Sequence, residues 1–264
     1  VLPFNLPHSD GCPYYSVSTF AQNPLFIDPE ILQEDGLLTP QEVTQIAADA
    51  TGNFDALAQK REKYLRQAAK RFALTPQAED ARRYAQKRPG VLQACQFLSR
   101  ENPTGENLFY HIFLQYTFFR QWDALHRYLA ARGIEVIGDI PYYVNLSSSE
   151  VFYHKECFLL NENGQPDEVS GVPGDRFSDA GQKWGHPLYN TRELERQNYK
   201  LLFNEDGTPT ARSAKILNGT PMGRFVDSEE LLGGLFFLTD DRAASAITGV
   251  VLPIDCGFAA YSGV

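Results

Sequence analysis

The apolar positions follow two rhythms along the chain. From Thr39 to Gly133 they recur at helical spacing. In TPQEVTQIAADA, Thr39 reads as an N-cap, Pro40 as the first helical residue, and Glu42 as the acid three residues after the cap. Residues 55–74 are a second helix candidate, with Tyr64, Leu65, Ala68, Ala69 and Phe72 on one side. Gln77 to Lys87 is a third. Leu108 to Gly133 is the longest. Its apolar residues fill more than one face, which predicts a well-buried helix closed by Gly133. Residues 1–40 are loop-rich and hold Pro3, Pro7, Pro13, Pro24, Pro29 and Pro40.

After Gly133 the pattern changes. IEVIGDIPYYV is a β-branched run with no polar face, as in a parallel strand covered on both sides. Asp139 closes it. Helix, glycine, strand and loop together predict one α/β unit, and ligands in such folds meet the carboxyl ends of strands. FLLNENGQPDEVSG (158–171) predicts a hairpin turning at Asn163-Gly164. It leads into VPGDRFSDAGQKWGHPLY (172–189), whose Gly and Pro argue against helix or strand interior. That stretch nevertheless carries Asp175, Phe177, Gln182, Trp184, His186 and Tyr189, more chemistry than a connecting loop needs. Beyond Asn190 come a polar connector, a helix with Ser228 as its cap and Thr239-Asp240-Asp241 at its end, and a β-branched strand from Ala246 to Ile254 ahead of Asp255 and Gly257.

The 264 residues are 43% hydrophobic and 22% charged, an ordinary globular composition. A net charge of −9 argues against a nucleic-acid partner. The basic run KREKYLRQAAKR (60–71) is the local exception and reads as a solvated helix face. Cys12, Cys95, Cys157 and Cys256 form no C-x-x-C pair, which predicts free thiols in a reducing, cytoplasmic setting and no metal site. No apolar run approaches the roughly 18 residues of a membrane span. No signal peptide is visible, and VLP at the start reads as the end of a strand.

Two family resemblances rest on quoted text. PYYSVSTFAQNPLFIDPEILQEDGLLT, FLQYTFFRQWDALHRYLAARGIEVIGDIPYYV, SSSEVF and GVPGDRFSDAGQKWGHPLYN resemble, in order and spacing, the 4-α-glucanotransferases or amylomaltases. TPMGRFVDSEELLGGLFFLTDD and ASAITGVVLPIDCGF resemble the C-terminal end of short-chain dehydrogenases, among them sugar-acid (mannonate or fructuronate) oxidoreductases; Cys256 stands there in place of a usual Gly. The implied fold is α/β: a partial TIM barrel over residues 1–190 with a helical insertion at about 41–107. A Rossmann-type helix and strand over 197–264 would follow.

The first resemblance implies transfer of α-1,4-glucan segments between maltodextrins, without a cofactor. It implies that Trp184 and Phe177 stack on sugar faces, that Asp175, Gln182 and His186 meet hydroxyls, and that Tyr14 and Ser16 line a second part of the cleft. Asp139 would brace it. From the residues alone, Trp184 could equally plug a loop and Asp139 cap a turn. The chain departs from the family at Arg176 (usually Tyr), Gly174 (often Pro), His186 (usually Asn) and Ser147 (Asp).

Retaining chemistry needs two carboxyl groups about 5 Å apart. The family's R-x-D-H-F, A-E-D-L-G and T-H-D motifs, which carry them, do not occur in this sequence. Neither does a Gly-rich dinucleotide loop or a Tyr-x-x-x-Lys pair. The expectation is therefore a glucanotransferase fragment, inactive alone, with an unclosed barrel edge that favours self-association. A non-catalytic hybrid with weak glucan binding and an NAD(P)-dependent oxidoreductase are the alternatives. A natural fusion, a mis-joined sequence and a chimera all remain open.

Overall fold

The structure is a computed structural model. It describes residues 1–8, 11–47, 54–139, 141, 143–174 and 179–197, with 222, 224, 226, 229–239, 242, 244 and 254 further on. The chain divides into two units. The larger comprises Leu2–Val136 and Pro141–Leu194; the smaller comprises Val1, Ile137–Ile140 and Glu195–Val264.

The larger unit is built on helices. In chain order they are α1 (Pro29–Glu34), α2 (Pro40–Ala47), α3 (Phe54–Phe72), α4 (Ala78–Gln86), α5 (Pro89–Leu98), α6 (Gly105–Ala130) and α7 (Ser149–Tyr153). Helix α6 is the spine, and α3, α4 and α5 all pack against it. Tyr64, Leu65, Ala68, Ala69 and Phe72, the predicted apolar side of α3, are all buried. They meet Phe113 and Phe118 of α6 and Ala81 and Ala85 of α4 in one core. The local signals held. The Thr39 backbone N–H donates to Glu42 Oε2 at 2.7 Å, and the Glu42 N–H donates to Thr39 Oγ1 at 3.3 Å, a reciprocal capping box. Gly133 adopts φ +68, and the N–H groups of Gly133 and Ile134 return to the Ala130 and Leu129 carbonyls, which ends the helix.

Two glutamines on α6 fix the N-terminal segment. Gln115 Oε1 accepts from the Gln22 N–H and Gln115 Nε2 donates to the Gln22 carbonyl. Gln121 does the same with Asp28. Each amide imitates a strand partner for one backbone position.

The remaining elements are β1 (Val169–Val172), β2 (Gln182–Pro187) and α8 (Thr191–Arg196). β1 and β2 pair antiparallel, the sole sheet among the described residues. The predicted turn at Asn163-Gly164 is present: Gly164 adopts φ +72, its N–H donates to the Asn161 carbonyl, and Leu160 bridges Pro166. In the smaller unit, α9 (Glu230–Thr239) matches the predicted late helix. Its cap Ser228, the strand 246–253 and Cys256 lie outside the described residues, as does nearly all of the dehydrogenase-like text.

Three expectations need correction. Residues 134–139 form no strand, and Ile134 and Ile137 are 50% and 57% exposed. A β-branched run becomes a strand only where another strand accepts its hydrogen bonds, and no described segment does so. Helix α6 is buried from Tyr110 to Phe118, but Leu125 and Tyr128 farther along are 47% and 55% exposed. Its apolar faces outnumber the neighbours available to cover them. Finally, Gln182–Pro187 is a strand despite its Gly and Pro. The register slips between Val169 and Gly171, and Gly185 inside the irregularity takes φ +81, as a bulge allows. No helix of the described residues is long and apolar enough to cross a membrane.

Candidate functional site

The hairpin β1–β2 depends on glycine at two close approaches. A Cβ on Gly171 would run into the Gln182 carbonyl, and one on Gly181 into the Val172 carbonyl, with Gly181 already at φ +72. The two backbones can therefore pass tightly and present β2 side chains on one face. Gln182, Trp184 and His186 alternate along β2. Trp184 Nε1 donates to Gln182 Oε1 at 3.1 Å, so these two side chains share that face.

Tyr143 joins Trp184 to His186. Its ring centroid lies 6.3 Å from Trp184 and 5.8 Å from His186, the latter stacked with only 5° between the planes. Tyr15 closes the other side of His186 at 5.3 Å. The result is an aromatic row, Trp184–Tyr143–His186–Tyr15, that grades from 42% exposed at Trp184 to 7% at His186. Burial pushes the His186 imidazole below its ordinary value, and a backbone hydrogen bond with Val144 partly opposes this. Its Nδ1 is buried with no partner among the described residues.

The N-terminal segment forms the second wall. It doubles back on itself: Asn5 bridges Gln22, Pro7 bridges Ser16, and Val17 N–H donates to the Leu6 carbonyl. The tip leaves Tyr14 38% exposed, whereas Ser16 is buried with Oγ unpaired among the described residues.

Glu150, at the start of α7, ties the walls together. It is only 4% exposed. Its Oε1 accepts from Ser18 Oγ at 3.1 Å, Thr19 N–H at 2.8 Å and Thr19 Oγ1 at 2.7 Å, and its Oε2 accepts from Ser149 Oγ at 3.1 Å. The Ser149 N–H adds a bond to the Val17 carbonyl. A carboxylate engaged at both oxygens braces a backbone and is poorly placed to attack or to move a proton. It holds the Val17–Thr19 segment against the start of α7.

Of the eight residues expected at the site, Tyr14, Ser16, Gln182, Trp184 and His186 lie in the larger unit on these two walls. Asp139 is exposed and falls in the smaller unit. Asp175 and Phe177 lie outside the described residues. Sequence reasoning missed Tyr15, Tyr143 and Glu150. Tyr15 was one position from the residue chosen, and the turn decides which of the adjacent tyrosines faces His186. Glu150 bonds groups 131 and 132 positions away, which no local pattern reveals.

The family model described as 4-alpha-glucanotransferase matches residues 1–98 and 94–205. The 4-alpha-glucanotransferase of Aquifex aeolicus is 31% identical over 226 residues, covering 76% of this chain and 46% of that protein. The one from Clostridium butyricum is 32% identical over 298 aligned positions, covering 91% of this chain and 61% of its own. An amylomaltase from Streptococcus agalactiae, solved in complex with acarbose, superposes with a TM-score of 0.68 at 28% identity, over 76% of this chain and 47% of that one. An amylomaltase from Corynebacterium glutamicum has the same fold by likeness, with a TM-score of 0.59 at 18% identity, over 75% of this chain and 32% of that one. The chain thus spans about half the length of relatives that it matches over most of its own. With the family model matched across most of the sequence, the chain belongs to the 4-alpha-glucanotransferase family.

Proposed function

We propose that the chain supplies the glucan-holding part of a 4-α-glucanotransferase, an enzyme that moves α-1,4-glucan segments between maltodextrins, within a partial barrel. The aromatic row ending in exposed Trp184 carries this reading. A glucan offers apolar sugar faces ringed by hydroxyls, and a site for it combines aromatic surfaces with polar groups. Trp184 gives the surface. Gln182 orients the indole, and the exposed Tyr14 offers a hydroxyl across the cleft. The buried Nδ1 of His186 and Oγ of Ser16 add unused hydrogen-bonding capacity close behind. Asp175 and Phe177 belong to the same proposed site by family resemblance. The acarbose held by the Streptococcus agalactiae amylomaltase supports an oligosaccharide ligand.

Double displacement at an anomeric carbon needs a carboxylate nucleophile and a second carboxyl as acid and base. The sequence lacks the motifs that carry them in the family, and Glu150 is fully engaged as a brace. We therefore assign holding, not bond cleavage, to these residues. We further assign residues 197–264 to a separate dehydrogenase-like piece. The cytoplasm is the proposed location, on the wide spacing of the four cysteines, which form no C-x-x-C pair. Incubation of the purified chain with maltotriose tests the division of labour. No glucose or longer maltodextrin should form above background. Products that vanish in Asp139→Asn would overturn it.

A further inference from the structure

The basic run of α3 has a consequence outside the glucan cleft. Helices α3, α4 and α6 border an open pocket of about 410 Å³, lined by Arg66, Lys70, Arg82, Glu106, Phe109 and Tyr110 among others. Three cations and one carboxylate thus face it, in a chain whose net charge is −9. The first turn of α6 borders it at Gly105 and Glu106 and adds the positive end of a 26-residue helix.

Two of the cations are held in place before any ligand arrives. The Arg66 guanidinium lies 4.0 Å from the Tyr110 ring centroid, and that of Arg82 lies 4.7 Å from Phe109. Arg66 is further fixed by Asn107 Oδ1 at 3.1 Å. A planar donor laid on a ring loses little freedom when it binds an oxyanion. Each cation has a carboxylate partner: Glu62 at 2.7 Å from Arg66, Glu106 at 3.0 Å from Lys70 and Glu79 at 3.4 Å from Arg82, and all three carboxylate side chains are at least half exposed. Exposed pairs of this kind are weak and yield to a multivalent anion.

The same arrangement narrows the ligand. Each aromatic ring already carries a guanidinium, so neither is free for a nucleobase or for sugar stacking. Recognition must come from charge and hydrogen bonds. The cavity is much larger than a phosphate group, and Glu106 at its rim can accept from hydroxyls. We propose that this cavity is a binding site for a small phosphorylated sugar, with the phosphate on Arg66, Lys70 and Arg82. It is separate from the aromatic row and does not rest on the glucan reading.

Calorimetric titration of the 264-residue chain at low salt with glucose 6-phosphate, inorganic phosphate and maltose tests this. Glucose 6-phosphate should bind, inorganic phosphate about tenfold more weakly, and maltose not at this site. Lys70→Gln, at a side chain 67% exposed, leaves the fold intact and should weaken glucose 6-phosphate about tenfold. Added salt should weaken it too, whereas Trp184→Ala should not. Absence of binding by both phosphate compounds would overturn the proposal. So would glucose 6-phosphate binding that survives Lys70→Gln combined with Arg82→Gln, or maltose binding that those two changes abolish.

Discussion

On α6, Gln115 engages both ends of its amide with the Gln22 backbone, and Arg61 on α3 donates to the Leu25 and Ile27 carbonyls. At the hairpin end, Ser16 Oγ, Asn145 Nδ2, Ser170 Oγ and His186 Nδ1 are buried without a partner among the described residues. Gln22 Nε2, Arg61 Nε and Gln67 Oε1 are so elsewhere. The four at the hairpin end sit on segments in mutual contact: Tyr15 packs on His186, Val144 bonds it, and β1 pairs with β2. Buried polar groups without partners cost stability. A region that keeps several together is built for something other than stability. The helices form the scaffold, and the hairpin end, where we propose the glucan site, keeps these polar groups together.

The comparison breaks most directly at Phe113, which is fully buried where α3 and α6 meet. Phe113→Ala should cost about 3–5 kcal/mol by urea unfolding, because cavity and transfer terms add. Trp184→Ala should stay within about 0.5 kcal/mol, since the side chain is already 42% exposed. Equal losses would mean that the two regions do not differ as scaffold and site.

Next in size is Glu150, the one strongly bonded group at the hairpin end. Glu150→Ala strands donors on Ser18 and Thr19 and should cost about 2–3 kcal/mol. Hydrogen exchange should rise at the Thr19 amide in particular, because it loses its acceptor. An unchanged Thr19 amide would mean that the N-terminal wall does not depend on this carboxylate.

A smaller effect separates the helices by pH. Arg71 grips Glu42 with both nitrogens, at 2.6 and 2.9 Å, and this pair is the main reason that the carboxyl falls from 4.5 to about 2. In the unfolded chain the group takes a proton near its ordinary value; in the fold it does so only near 2. The pair's stabilisation is therefore complete above about pH 4.5 and lost as pH falls toward 2. Arg71 is partly exposed, so the contribution is about 1 kcal/mol after screening. Glu42→Gln should melt lower than the parent at pH 7, and the gap should close by pH 2.

How legible these regions were follows from the distance over which each is decided. Thr39, Gly133 and Asn163-Gly164 were readable because cap and turn chemistry acts within a few residues. Helix α5 was missed although Val91, Ala94 and Cys95 have helical spacing. Pro89-Gly90 reads as a turn, yet it starts the helix, and Gly90 is there because a Cβ would meet the Phe20 ring at 2.7 Å. The β-branched run at 134–139 shows the opposite failure, a local pattern without a partner strand. Of the candidate site, Trp184, Gln182 and His186 stand out in the sequence, whereas Tyr143 and Glu150 are joined to it by contacts made across the fold.

The smallest effect on stability should have the clearest effect on binding. Maltoheptaose titrated against tryptophan fluorescence reports on Trp184, and Trp122→Ala removes the second indole, which packs 4.9 Å from Phe4. A stacked sugar contributes about 1 kcal/mol, the scale of other aromatic contacts. Each side chain that must be immobilised costs about as much. Trp184 is already tied to Gln182, so its own cost is partly met, but Tyr14 is exposed and must be ordered. The balance predicts millimolar or weaker binding that Trp184→Ala abolishes and Trp122→Ala leaves intact. Micromolar binding lost only in Trp184→Ala would mean that the cleft is fully formed in this chain. A response that disappears in Trp122→Ala instead would move the glucan site onto the helices and reverse the assignment of scaffold and site.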